Sequence, residues 1–71
     1  MKILDIGIIT PKQEIFDDWV EVQYKQNASF WWIHDMHSVR GLKFDLILRI
    51  DLWTEVSDEV IEEAYSRLKH L

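Results

Sequence analysis

Cysteine is absent from all 71 residues, which excludes disulfides and thiolate zinc sites. Glycine occurs only at positions 7 and 41, so no glycine-rich phosphate loop can form. Proline occurs once, at Pro11. No apolar run approaches the roughly 18 residues that a membrane-spanning helix needs. Met1-Lys2-Ile3-Leu4 begins like a signal peptide, but Asp5 interrupts it and no apolar core or small-residue cleavage site follows. A cytoplasmic location is the expectation. Bases are also scarce: eight Lys and Arg face thirteen Asp and Glu, for a net charge of −5. That opposes direct nucleic-acid binding, which needs cations to displace the counterions of phosphates.

What is present is apolar and aromatic. Hydrophobic residues are 48% of the chain, with four Trp among them, so the chain folds rather than staying disordered. A chain of this size buries only about 60% of its unfolded surface. Small domains therefore lean on a disulfide, a metal or a partner subunit. With no cysteine, packing or a homodimer remains. No repeat, linker or low-complexity stretch divides the chain, so residues 1–71 read as a single domain.

The clearest pattern is Leu42–Trp53. Leu42, Phe44, Leu46, Leu48, Ile50 and Leu52 alternate with Lys43, Asp45, Ile47, Arg49, Asp51 and Trp53. A period of two predicts a long strand with an apolar even face. Lys2–Ile9 predicts a first strand, in which Gly7 marks a bulge or a close backbone approach. Thr10-Pro11-Lys12-Gln13 predicts a turn. Glu14–Lys25 fits two patterns. Thr10, Pro11 and Gln13 match a helix start, with Ile15, Phe16, Trp19 and Val20 on one face. Trp19–Lys25 also alternates and is rich in β-branched and aromatic residues, which favours a strand with Glu14–Asp18 as its lead-in. Phe30–Asp35 predicts another strand after a polar loop, and Met36–Gly41 a connection.

Ser57–His70 predicts a helix. Ser57 is a good N-cap, Asp58 and Glu59 suit the first turn, and Val56 with Ile61 match a hydrophobic staple. Val60, Ile61, Ala64, Tyr65, Leu68 and Leu71 form the apolar face, and Glu63 with Arg67 an i,i+4 pair. The expected architecture is α+β: a four-stranded, mostly antiparallel meander with one C-terminal helix packed on one face. That helix should bury the even face of Leu42–Leu52 and leave Ile47, Trp53 and one of the other tryptophans on an open face.

Catalytic constellations are not evident. Ser38 stands beside His37, but no nucleophile elbow or third orienting group accompanies them. His34-Asp35-x-His37 has metal-ligand chemistry, yet strand geometry sends His34 and His37 to opposite faces. No metal, cofactor or catalytic residue is assigned, and the chain is expected not to be an enzyme.

The acids are clustered. Asp51, Glu55, Asp58, Glu59, Glu62 and Glu63 have no base between them, nor do Glu14, Asp17, Asp18 and Glu21. A solvated surface explains such runs in general. Carboxylates four residues apart on a helix are also separated by about 6 Å, close to the roughly 6.8 Å between alternate phosphates of one DNA strand. Trp19, Trp31, Trp32 and Trp53 are many for one small core, and tryptophan is enriched at protein interfaces. In size, acidity and aromatic content the chain resembles the small acidic inhibitors that phages encode to disable host proteins. The resemblance implies a non-enzymatic binder, of a class in which some members are DNA mimics, acting in the host cytoplasm on the basic channel of a replication, transcription or defence protein. The expected partner-binding residues are Asp51, Trp53, Glu55, Asp58, Glu59, Glu62 and Glu63, with Asp17, Asp18, Trp19 and Glu21. The alternative is a small structural or assembly protein that self-associates through its open sheet face.

Overall fold

The structure, a computed structural model, describes residues 3–23 and 27–69. Strand β1 (Leu4–Ile9) leads into helix α1 (Gln13–Gln23), then strand β2 (Ala28–Ile33) and the single turn of helix α2 (Met36–Val39). Strand β3 (Leu46–Arg49), a 3₁₀ turn (Trp53–Glu55) and helix α3 (Asp58–Ser66) complete the chain. The sheet has three strands in the order β2-β1-β3, and both pairings are parallel.

The antiparallel meander is therefore incorrect. Parallel neighbours need crossover connections, and the segments read as strand and loop supply them as α1 and α2. The two crossovers run in opposite directions across the sheet, so right-handed connections place their helices on opposite faces. The contacts agree. Phe16 and Trp19 of α1 pack on Trp32 and Phe30 of β2, while α2 and α3 bring Val39, Val60 and Ala64 onto Ile9 and Ile33. This is a three-layer arrangement with β1 at its centre. Ile6, Ile8 and Ile9 are all buried, as expected for a strand covered on both faces.

Trp19–Lys25 is not a strand. Its residues to Gln23 are helical, and Val22, on the supposed inner face, is 76% exposed. Tyr24 and Lys25 lie outside the described residues. The spacing Ile15, Phe16, Trp19, Val20 decides the matter, because each of these is half-buried on the helix's sheet side. Thr10 does not cap α1; it is fully buried at the end of β1, and the helix begins with the Phe16 N–H donating to the Lys12 carbonyl at 3.3 Å.

Leu42–Trp53 is strand only over Leu46–Arg49. Phe44 and Leu42 do pack in the core with α3 as expected, but within β3 the face assignment inverts. Helix α3 covers the odd face at Ile47, and Trp53 packs against that core. Leu46 and Leu52, expected in the interior, are 46% and 39% exposed. The even face at β3 borders an open apolar groove lined by Leu4, Ile6, Trp19, Phe30, Leu46 and Leu48. Gly7 marks a close approach: a Cβ there would stand 2.6 Å from Ile33 Cδ1 and 3.0 Å from Phe44 Cδ1.

The C-terminal helix starts as expected. Ser57 accepts the Val60 N–H through its hydroxyl, and Val60 and Ala64 are buried. It ends at Ser66, short of His70, because the chain then runs beside Phe44. Arg67 O accepts from the Phe44 N–H at 2.9 Å, and the Lys69 N–H donates to Phe44 O at 2.8 Å. His70 and Leu71 lie outside the described residues. No helix is long and apolar enough to cross a membrane among the described residues.

Candidate functional site

Parallel sheets bind small ligands at their carboxyl edge, where neighbouring connections diverge. Here that point lies between the ends of β1 and β3, and a hydrogen bond of the chain itself spans it. The Thr10 hydroxyl donates to the Asp51 carbonyl at 3.1 Å. The Trp32 indole N–H donates to the Thr10 carbonyl at 2.8 Å, and His34 stacks on Trp32 with ring centroids 3.8 Å apart. The β1–α1 connection is Thr10-Pro11-Lys12, with none of the glycines that let a backbone approach a phosphate.

Ser38, His34 and Asp35 do come together, but as a helix cap. Asp35 Oδ1 accepts the Ser38 N–H at 2.8 Å, and Ser38 Oγ accepts the N–H groups of His34 and Asp35 while donating to the Asp35 carbonyl. The serine hydroxyl is thus committed to backbone groups rather than to an imidazole. His34 Nε2 lies 3.3 Å from Asp35 Oδ2, and its buried Nδ1 has no hydrogen-bond partner among the described residues. The Asp35 carboxyl is held below the usual range, chiefly by the Ser38 N–H; partial burial opposes this and the nearby His34 and His37 support it. No group of three potential metal ligands is assembled among the described residues.

Charge is distributed along the strand direction. Helix α3 runs from the carboxyl edge of the sheet back to the amino edge. Its first turn carries Asp58 and Glu59, which complement the positive end of the helix dipole. Asp51, Glu55, Asp58, Glu59 and Glu62 are all exposed. None of them forms an ion pair with a described residue. The acids elsewhere on this layer are paired: Glu63 with Arg67 at 2.8 Å, and Asp5 and Asp45 with Lys69 at 3.2 and 3.5 Å. The Lys69 ammonium is held above its usual range, first by its hydrogen bond to Asp5 and then, against some desolvation, by the charge of Asp45.

The expected site residues divide into two groups. Asp51, Trp53, Glu55, Asp58, Glu59 and Glu62 lie together around the turn after β3 and along α3, while Glu63 is engaged by Arg67. Asp17, Asp18, Trp19 and Glu21 are on α1, across the sheet from α3, so the two acidic runs do not form one surface. The carboxylates of α1 are exposed, but Trp19 is turned inward, edge-on to Phe30 at 5.2 Å between centroids. Trp53 is half-buried, with the Arg49 guanidinium 4.7 Å above its ring. Neither tryptophan is a free anchor.

The residue that the period-two pattern concealed is Leu52. It has φ 61°, the left-handed conformation, and its side chain is exposed between Asp51 and the Trp53–Glu55 turn. A leucine rarely adopts this backbone. Pattern analysis assigns it to the core because it assumes that the strand continues to Trp53.

No protein family, curated protein or solved structure matches this chain.

Proposed function

We propose that this chain is a non-enzymatic binding protein whose acidic surface docks on the basic, nucleic-acid-binding groove of another protein and inhibits it by occupying that groove. The docking residues are Asp51, Glu55, Asp58, Glu59 and Glu62, with Leu52 as the apolar contact at their centre. The observation that carries this reading is selective pairing. Glu63, Asp5 and Asp45 have cationic partners, whereas these five exposed carboxylates have none among the described residues. Arg49, nearby in sequence, is stacked on Trp53. Complementary charge of this kind accelerates encounter and rejects acidic surfaces. The runs on α1 and α3 lie on opposite layers and do not form one surface; the docking surface proposed is residues 51–62.

The test is capture of partners from a bacterial lysate on the immobilised chain, eluted with a salt gradient and, separately, with excess duplex DNA. Elution of one protein by both supports occupation of a nucleic-acid groove. Retention in high salt and in DNA contradicts it. A self-assembling role is the second reading; helices cover both faces of the sheet, so it would use not the expected open face but the outer edge of β2, whose Ala28, Phe30 and Trp32 backbone groups bond to no described residue.

A further inference from the structure

The two edges of the sheet differ in protection. Just before β3 the outer N–H and C=O of Phe44 are already bonded to Arg67 and Lys69 respectively, the strand is four residues long, Asp45 precedes it and Arg49 ends it. Such features blunt an edge against pairing. Strand β2 has none of them. Its six residues, Ala-Ser-Phe-Trp-Trp-Ile, contain no charge, proline or glycine. The carbonyls of Asn27 and Ile33 accept from Leu4 and Thr10 of the β1 segment. Ladder alternation then directs Ser29 and Trp31 inward as well, and turns the N–H and C=O of Ala28, Phe30 and Trp32 outward. No described residue bonds to those outward groups. Unlike a bare apolar patch, unpaired backbone groups specify the occupant as another strand.

We propose that β2 pairs antiparallel with β2 of a second copy, in the register centred on Phe30, giving a six-stranded sheet across a twofold axis. Two independent features select this register. It pairs all three outward residues, Ala28 with the second copy's Trp32 and Phe30 with Phe30. Centring on Trp31 would instead set Ala28 against His34, whose N–H is already donated to Ser38 Oγ. The Phe30 register also sets both tryptophans against small residues, Trp32 against Ala28 and Trp31 against Ser29, whereas the Trp31 register stacks Trp31 on Trp31. The strand is chargeless, so pairing costs no ionic desolvation. The two α3 surfaces stand at opposite ends of the dimer, and this inference does not depend on their acidic docking role. The α1 helices, with Asp17, Asp18 and Glu21, lie on the same face, so added salt tightens the dimer while it weakens acidic docking.

The test is sedimentation equilibrium on the full chain, with amide exchange measured at low and high protein concentration. A dimer that strengthens with salt is expected, with exchange slowed about tenfold or more at Ala28, Phe30 and Trp32 but unchanged at Ile47 and Arg49, the outward residues of β3. Ala28→Lys, which places a charge on the edge opposite Trp32, should weaken association about tenfold or more with an unchanged circular dichroism spectrum. A monomer at millimolar concentration, or protection at Ile47 and Arg49 instead, overturns the proposal. Undiminished dimerisation by folded Ala28→Lys does the same. If that variant fails to fold, the exchange pattern of the unmodified chain still decides.

Discussion

The Thr10 hydroxyl donates to the Asp51 carbonyl at 3.1 Å and so ties the turn after β3 to the end of β1. Thr10 is completely buried, and its own carbonyl accepts from Trp32. One residue therefore connects all three strand ends and positions the segment that carries Asp51 and Leu52. Thr10→Val keeps the shape but removes the donor. It should destabilise the chain by about 1 kcal/mol. An unchanged urea midpoint would show that the turn is held by other contacts.

Leu52 separates stability from binding. Left-handed backbone costs a non-glycine residue roughly 1–2 kcal/mol, partly offset in glycine by its greater unfolded-state entropy. Leu52→Gly is therefore expected to leave the thermal midpoint unchanged or raised. The same change removes an exposed apolar side chain from the proposed docking surface, so partner retention should fall. A variant that is markedly less stable would mean that the Leu52 side chain supports the fold.

Gly7 is required by space rather than by backbone angle. The methyl of Gly7→Ala would meet Ile33 Cδ1 at 2.6 Å and Phe44 Cδ1 at 3.0 Å, both side chains of the buried core. Overpacking of this kind typically costs about 1–3 kcal/mol. Denaturant unfolding should show a lower midpoint with a similar slope, and a neutral result would indicate that Ile33 has room to move.

The cap on α2 should respond to acid. Asp35 has a folded-state pKa below its unfolded value, so its contribution to stability is fully present above the ordinary carboxylate pKa of about 3.9 and is lost as pH falls through the lowered folded value. Asp35→Ala should therefore lower the midpoint at neutral pH, and its deficit should shrink as pH drops below about 4. A deficit that persists undiminished in acid would assign the effect to packing rather than to the charged cap.

Local signals were legible in the sequence where they depended on neighbours a few residues apart. Ser57 caps α3, Glu63 pairs with Arg67, and Gly7 is a close approach. Topology was not legible from period two alone. Val20, Val22 and Tyr24 alternate by coincidence, and the competing helical set Ile15, Phe16, Trp19 and Val20 prevailed because it packs onto Phe30 and Trp32. Had α1 been recognised, a strand on each side of a helix would have indicated a parallel crossover and helices on both faces. The alternation through Leu52 was equally deceptive, since nothing in it marks the end of the strand at Arg49. The acids of the site were visible as a run; that α1 stands on the other layer from α3 depends on the crossovers.

The functional account is tested most directly by neutralising the two acidic runs separately. One variant changes Asp51, Glu55, Asp58, Glu59 and Glu62 to Asn or Gln, and another changes Asp17, Asp18 and Glu21; both are compared with the unmodified chain in lysate capture. The account predicts that a salt-eluted partner is lost from the first variant and retained by the second. Equal capture by the unmodified chain and the first variant, with both shown to be folded, would contradict it.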